Sequence, residues 1–502
     1  MNQEPRALSQ GRLIFSAAVL VALLSFWLLY FPRAALTIQE SDGAEFALVA
    51  AKGSLAHPPG YPLYSWLGQL LAQLFPQNPY YVLAVFSAVC QALAAGILVL
   101  VLSALSGSFL VGLAFSLGWA LYEPSLLTAT DAEVFALHHF LIVCVLGLAI
   151  GAARSRRSAI FLGLLLGCAA AHQHLLALFL PLIAGLCWNP AHGRATFFRT
   201  SLATAFFVAV ALYLSLFLRY AHAPELAFAP LESSVDFLTY LLRGGYGTFS
   251  LVLDGAPTEA SYASAVWRGL FVAMPAAFIL SILLPGLTLW KRSAVTWGAS
   301  ASLILTWLFS LGLTVPAENH ELSNWVMRFY PTIALVVLCG ACVAFNALRI
   351  RRAAVATVVA VVSLAASLWG LPATMRASDF SSNVLVEREV QAILSDAPNS
   401  AVVIVGSDRL VFGLAYFQRV FEERADLQVV TLGKLESQFY RKRLIATLDL
   451  PPGTTEESLQ DVGTLARLLL STHRKVFAEP AVPVPQGLQV ERQGALNRWI
   501  QF

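Results

Sequence analysis

The sequence predicts an all-α polytopic membrane bundle of about eleven transmembrane helices, followed by a small C-terminal α/β domain. Three observations carry this. Hydrophobic residues make up 58% of the 502 and charged residues 12%, with a mean hydropathy of +0.70. A soluble globular protein has no use for that much apolar surface. Apolar runs of roughly the 20 residues needed to cross a bilayer recur between residues 13 and 372. From residue 373 onward charges are scattered throughout and no such run remains.

In chain order the apolar runs lie near 13–31, 81–105, 107–122, 133–153, 158–171, 174–188, 200–219, 264–290, 295–315, 327–348 and 353–372. Lys and Arg gather on cytoplasmic loops. With the N-terminus cytoplasmic, Arg154, Arg156 and Arg157, then Arg194 and Arg199, then Lys291 and Arg292, then Arg349, Arg351 and Arg352 all fall inside. The run 158–188 is interrupted by AHQHL. It reads either as a two-span hairpin turning at His172–His174 or as one broken helix. Imidazoles at membrane depth are costly unless they face a cavity or the bundle interior. An odd number of spans places the C-terminal domain, 373–502, on the same extracytoplasmic face as the first long loop, 32–80. Within that domain, NSAVVIVGSDRLVFGLAYFQRVFEERADLQVVTL reads as strand, loop, helix, strand. All six cysteines sit in apolar runs, which excludes a disulfide framework and a zinc spacing. The first apolar run has no small-residue cleavage site, so no cleaved signal peptide is expected. The net charge of +3 carries little information, and no nucleic-acid partner is expected.

The polar residues are more informative. SDGAEFALVAAKG (41–53) follows the first run directly. In a structural reading Asp42 caps a short helix, Glu45 completes a capping box and Gly53 ends it. The following HPPGYPLY would form a rigid turn into an interfacial helix over 61–75, with Tyr61, Tyr64 and Trp66 in an aromatic belt. Capping leaves His57 unexplained. A carboxylate held at a helix N-terminus beside the membrane is also well placed as a general base. Further polar groups are expected on that face. They are Asp131 and Glu133 in TATDAEVFALHHF, Arg243 to Gly247 in LLRGGYGTFSL, and Glu318, His320, Arg328 and Tyr330 in ENHELSNWVMRFYP. Arginines at a bilayer face are expensive and pair with anions, phosphate among them.

DGAEFALVAAKG…AHPPGYPLY, TDAEVFAL, HQHLLALFLP, LLRGGYGTFSL and MRFYP, followed by GSDRLVFGLAYFQRVFEERADLQVV, resemble the transmembrane protein 260-type family, whose eukaryotic member is a protein O-mannosyltransferase. The resemblance implies a GT-C glycosyltransferase. Such an enzyme moves a sugar, here mannose, from a polyprenyl-phosphate carrier to an acceptor hydroxyl with inversion. It implies Asp42 as general base, Glu45 in reserve, and His57 orienting the acceptor or the leaving phosphate. Arg243 and Arg328 would bind that phosphate, and Glu133, Tyr246 and Tyr330 would shape the pocket. His174 falls at the family's asparagine–histidine position, with Gln173 in place of the asparagine. No cofactor beyond the lipid-linked donor is expected, and no metal. The acceptor is left open among protein Ser/Thr, a glycan and a lipid. The chain is expected in a bacterial inner membrane with its site periplasmic, or in the endoplasmic reticulum membrane of a eukaryote. The rival reading is a lipid-linked sugar flippase gated at His172–His174. Against it, the polar groups gather at one face rather than at the midplane.

Overall fold

The computed structural model describes residues 4–151, 155–188, 194–244, 260–261, 263–312, 314–315, 326–349, 353–448 and 450–501. Its N-terminal part is a helical bundle: α1 (Glu4–Leu24), α2 (Gly43–Lys52), α3 (Pro62–Leu74), α4 (Pro79–Ser106), α5 (Phe109–Ala120), α6 (Glu123–Thr130), α7 (Val134–Gly151), α8 (Arg156–His172), α9 (Leu180–Cys187), α10 (Arg194–His222), α11 (Ser234–Leu241), α12 (Ala263–Ala273), α13 (Pro275–Lys291), α14 (Ala294–Leu311), α15 (Tyr330–Ala347), α16 (Ala353–Trp369) and α17 (Leu371–Ala377). A two-stranded antiparallel pair, β1 (Ala260–Ser261) and β2 (Thr314–Val315), joins two of its loops.

Each apolar run read from the sequence is, among the described residues, built mainly of helix, though the run 295–315 ends in β2. Among the described residues six helices are long and apolar enough to cross a membrane unaided. Three bent helix pairs, α5–α6 by 59°, α12–α13 by 119° and α16–α17 by 48°, each have the length and composition of a broken span or a re-entrant loop. The run 158–188 is broken as expected. Gln173 is extended, His174–Phe179 forms a 3-10 turn, and α9 restarts with Pro181 in its first turn. Helix–helix contact in lipid relies on small residues that let backbones approach. In α8, a Cβ at Gly163 would stand 2.6 Å from the carbonyl oxygen of Ser201, and one at Gly167 2.6 Å from that of Ala205, both on α10.

The C-terminal part adds α18 (Leu385–Asp396), α19 (Asp408–Val420), α20 (Gln438–Thr447) and α21 (Val462–Ser471) around a five-stranded sheet of order β4-β3-β5-β7-β6. Its strands are β3 (Val402–Val405), β4 (Gln428–Thr431), β5 (Val476–Ala478), β6 (Leu488–Gln493) and β7 (Leu496–Gln501). β3 pairs parallel with β4 and β5, whereas β7 pairs antiparallel with β5 and β6. The strand–helix–strand reading of 401–431 corresponds to β3, α19 and β4. β3 is buried on both faces, as a parallel strand between helices must be.

This lobe sits directly on the end of the bundle that carries α2. Gly413 of α19 is so close to Ile38 that an added Cβ would lie 2.9 Å from its Cδ1. The backbone N–H of Tyr80, an orphan donor in the first turn of α4, donates to Tyr416 Oη at 3.4 Å. Gln39 Nε2 donates to the Asn383 carbonyl at 2.9 Å, and Phe380 N to that of Arg33 at 3.1 Å.

Candidate active site at the bundle end

The site is built on α2 and the turn after it. Asp42 stands at the helix N-terminus, but its side chain caps nothing. The first-turn N–H of Gly43 is satisfied instead by Ser41 Oγ at 3.0 Å. The capping-box reading of Asp42 and Glu45 is therefore corrected: both carboxylates are turned to other work. Gly53 does end the helix, in the left-handed region at φ 71°.

Glu45 grips the turn. One oxygen accepts from the His57 backbone N–H at 2.7 Å, and the other lies 2.5 Å from His57 Nδ1. The backbone then passes through a cis Pro58–Pro59 bond, Gly60 at φ 86° and Tyr61 at φ 42°. A Cβ at Gly60 would approach Tyr240 Oη to 2.7 Å, and that hydroxyl donates to the Ala56 carbonyl. Tyr61 and Tyr64 are buried against Phe46 and His172 rather than lying in an interfacial belt. Only Trp66 is exposed, and its Nε1 donates to Ser215 Oγ at 2.8 Å.

Arg328 joins the carboxylates. Its Nη1 lies 2.9 Å from Glu133 Oε1 and 3.3 Å from Asp42 Oδ2. The 2.9 Å contact is an ion pair without hydrogen-bond alignment, since Glu133 Oε1 accepts no hydrogen bond, whereas Arg328 Nη1 donates a long hydrogen bond to Asp42 Oδ2. Exposure separates the three acids: the Asp42 side chain is 23% exposed, Glu45 6% and Glu133 3%. Asp42 is thus the accessible acid, while Glu45 and Glu133 are held by His57 and Arg328. Beside them Asp131 accepts from Tyr80 Oη and from the Ala132 N–H, which fixes the approach to α7.

The electrostatics follow from crowding. Burial disfavours a charged His57, but the adjacent Glu45 and then Asp42 outweigh it, so its pKa is raised. Burial and repulsion from Asp131 and Asp42 push Glu133 up, with Arg328 opposing. Arg328 is held more firmly protonated, because Glu133 and Asp42 exceed the burial penalty.

The remaining expected residues divide. Arg243, at φ 57°, is close enough to act electrostatically on His57 and Tyr61. Tyr330 is buried in the first turn of α15, two residues from Arg328. His174 is exposed, with Nε2 3.4 Å from Tyr213 Oη, and Arg243 acts on it electrostatically. Its neighbour His172 is the buried one, its Nε2 2.8 Å from the Val134 carbonyl, next to Glu133. Tyr246, Gly245, Gly247, Glu318 and His320 lie outside the described residues.

Two charges come from the C-terminal lobe, which sequence reasoning left without a role. Asp408, at the start of α19, has a pKa pushed up to about 6 by burial, then by Asp42 and Glu45. Lys434 has its Nζ 4.4 Å from the Phe228 ring and is lowered by burial while Glu45 pulls the other way. The available signal was GSDR directly after a β-branched strand, which puts an acid at a helix start; nothing local pointed to Lys434.

Mouse protein O-mannosyl-transferase TMEM260 is 24% identical over 473 residues, covering 86% of this chain. The match spans 65% of the mouse protein's length, just under two thirds. The fold is shared with ArnT from Cupriavidus metallidurans in the apo state, at TM-score 0.54 and 13% identity, covering 98% of both chains. An ArnT structure from the same organism bound to undecaprenyl phosphate gives TM-score 0.49 and 12% identity, covering 96% of this chain and 97% of that one. Residues 42–196, which hold Asp42, Glu45, His57, Glu133 and His174, match the model of the protein O-mannosyl-transferase TMEM260 N-terminal domain, the family that the motifs resemble.

Proposed function

We propose that the protein is an inverting glycosyltransferase that moves mannose from a polyprenyl-phosphate carrier to an acceptor hydroxyl, a Ser or Thr of a polypeptide, on the extracytoplasmic face of a membrane. One observation carries the chemistry: an accessible acid, Asp42, stands at the mouth of the bundle beside the arginine that the buried Glu133 holds in place. The name of the mouse relative supports the sugar and the acceptor class. In a single displacement Asp42 takes the acceptor proton and the acceptor oxygen bonds to the anomeric carbon. The bond from that carbon to the phosphate oxygen breaks, and its electron pair leaves with the polyprenyl phosphate. Arg328 and Arg243 steady the developing phosphate charge. Glu45 and His57 fix the turn after α2 and orient the acceptor, and Tyr330, two residues from Arg328, shapes the pocket. No metal has a part in this scheme.

The test uses the full chain in lipid nanodiscs with a short-chain polyprenyl-phosphate mannose and a Thr-containing peptide. Asp42→Asn is expected to lose transfer by about 10²–10⁴-fold, the range of general acid–base contributions, while still binding the donor lipid. Wild-type turnover that Asp42→Asn leaves intact would remove the base assignment. Movement of the lipid-linked sugar across the bilayer without release of polyprenyl phosphate would favour the flippase.

A further inference from the structure

Between α2 and the C-terminal lobe lies a cavity of about 380 Å³, within the usual size range of ligand sites. Glu45 and Val49 of α2 form one wall and Phe228 of the bundle another. The third wall is the edge of the sheet, Gln428, Val429 and Thr431 of β4. β4 ends the strand order and has a neighbour on one side only. Gln428 N donates to the Ala401 carbonyl at 3.0 Å, so the backbone groups of Gln428 and Val430 face β3. By the alternation of a strand, those of Val429 and Thr431 face outward. Thr431 N is satisfied by Tyr440 Oη at 2.8 Å. Among the described residues nothing meets the outward N–H and carbonyl of Val429. Gln428 Oε1, buried in the same wall, also has no partner.

The cavity straddles that edge rather than one face of the sheet. α19 packs with the cluster containing Val429 and α20 with the separate cluster containing Val430, and both helices line the cavity. An unpaired strand edge recognises an extended backbone, because its donors and acceptors match the peptide repeat. A lipid chain or a glycan offers no such alternation. The lining cations Arg419, Lys434 and Arg443 outnumber the lining acids Glu45 and Glu225, and Glu45 is already engaged by His57. The groove therefore favours acidic side chains.

We propose that this groove is the acceptor subsite: an extended polypeptide adds as a strand to the edge of β4 at Val429 and runs along α2, so that its Ser or Thr reaches Asp42, one turn from Glu45. This rests on the proposed transfer to a polypeptide.

The test uses wild-type protein in nanodiscs, the polyprenyl-phosphate mannose donor, and a Thr-containing, Glu-flanked peptide made unmodified or N-methylated at successive positions. Strand addition predicts a two-residue periodicity, with methylation at alternate positions raising the peptide KM about tenfold, as expected for a lost backbone pair. Val429→Pro removes the edge N–H at a position where proline is tolerated. It should raise the KM for the unmodified peptide by a similar factor, whereas Val429→Ala, which trims the same side chain but keeps the N–H, should leave that KM unchanged. Transfer to the peptide that ignores N-methylation at every position would overturn the groove proposal while leaving the transferase standing. Transfer to a lipid or glycan but to no peptide would overturn both the groove and the polypeptide acceptor. Failure to consume any polyprenyl-linked sugar would overturn the transferase itself.

Discussion

Removing Arg328 tests whether the acids of the site are held in place by one half-buried cation. Arg328→Met keeps most of the side-chain volume but leaves Glu133, at 3% exposure, without its partner. Breaking a buried ion pair from one side costs about 3–5 kcal/mol. The raised pKa of Glu133 offers relief through protonation, which argues for the lower end, about 3 kcal/mol. The Asp42 contact is longer, at 3.3 Å, and that side chain is 23% exposed, so its loss adds about 0–1 kcal/mol. Glu133→Gln alone strands Arg328 in the same way, although Asp42 still faces it. In the double variant neither charge is stranded, and the pair should interact by about 2 kcal/mol. The assay is unfolding by SDS titration of all four proteins in bicelles. Losses that add in the double variant to within about 0.5 kcal/mol would show that the pair does not hold the site together.

Three further outcomes follow from the geometry. The folded pKa of His57 is raised, so its pairing with Glu45 stabilises fully below the ordinary histidine value of about 6.5 and fades as pH rises through the folded value. The melting-temperature gap between wild type and His57→Gln should therefore be widest in mild acid and narrow in alkali. Asp408 is an acid with a raised pKa of about 6, so ionising it costs the fold, fully so above that value. Asp408→Asn should stabilise the protein above about pH 6 by less than about 1 kcal/mol, because solvent still reaches the side chain and screens it, and do nothing in strong acid. Gly167→Val would drive a side chain into Val208 and the Ala205 carbonyl on α10. It should cost about 1–3 kcal/mol, as overpacking does, read in the same SDS titration.

Much of this molecule was legible in the sequence, for identifiable reasons. The helical runs were visible because lipid exposure leaves only apolar residues, and the break at Gln173 because AHQHL cannot continue a buried apolar helix. Bends such as the one between α12 and α13 were not visible, since they depend on how neighbouring helices pack. Asp42, Glu45 and His57 stood out because a charged, proline-rich stretch beside a bilayer demands a reason. Their partners were harder to read. The Arg328–Glu133 contact joins residues far apart in the chain, and local pattern says nothing about such pairing. The His57 grip on Glu45 was hidden because a capping box explains the same spacing. Strands β5 to β7 were missed because three-residue VFA and the polar, exposed β6 carry almost no alternating signal.

The packing of α2 between bundle and lobe also bears on biogenesis. The helix that carries Asp42 and Glu45 is made early, yet α19, the surface that covers it, lies more than three hundred residues later in the chain. A nascent chain therefore reaches the membrane with this helix half-clothed, and the helix gains its final neighbours only after the last quarter of the polypeptide has arrived on the same side. Until the lobe docks, Ile38, which is fully buried in the finished molecule, lacks the neighbour that Gly413 of α19 supplies, so this end of the bundle is completed only when the tail has folded.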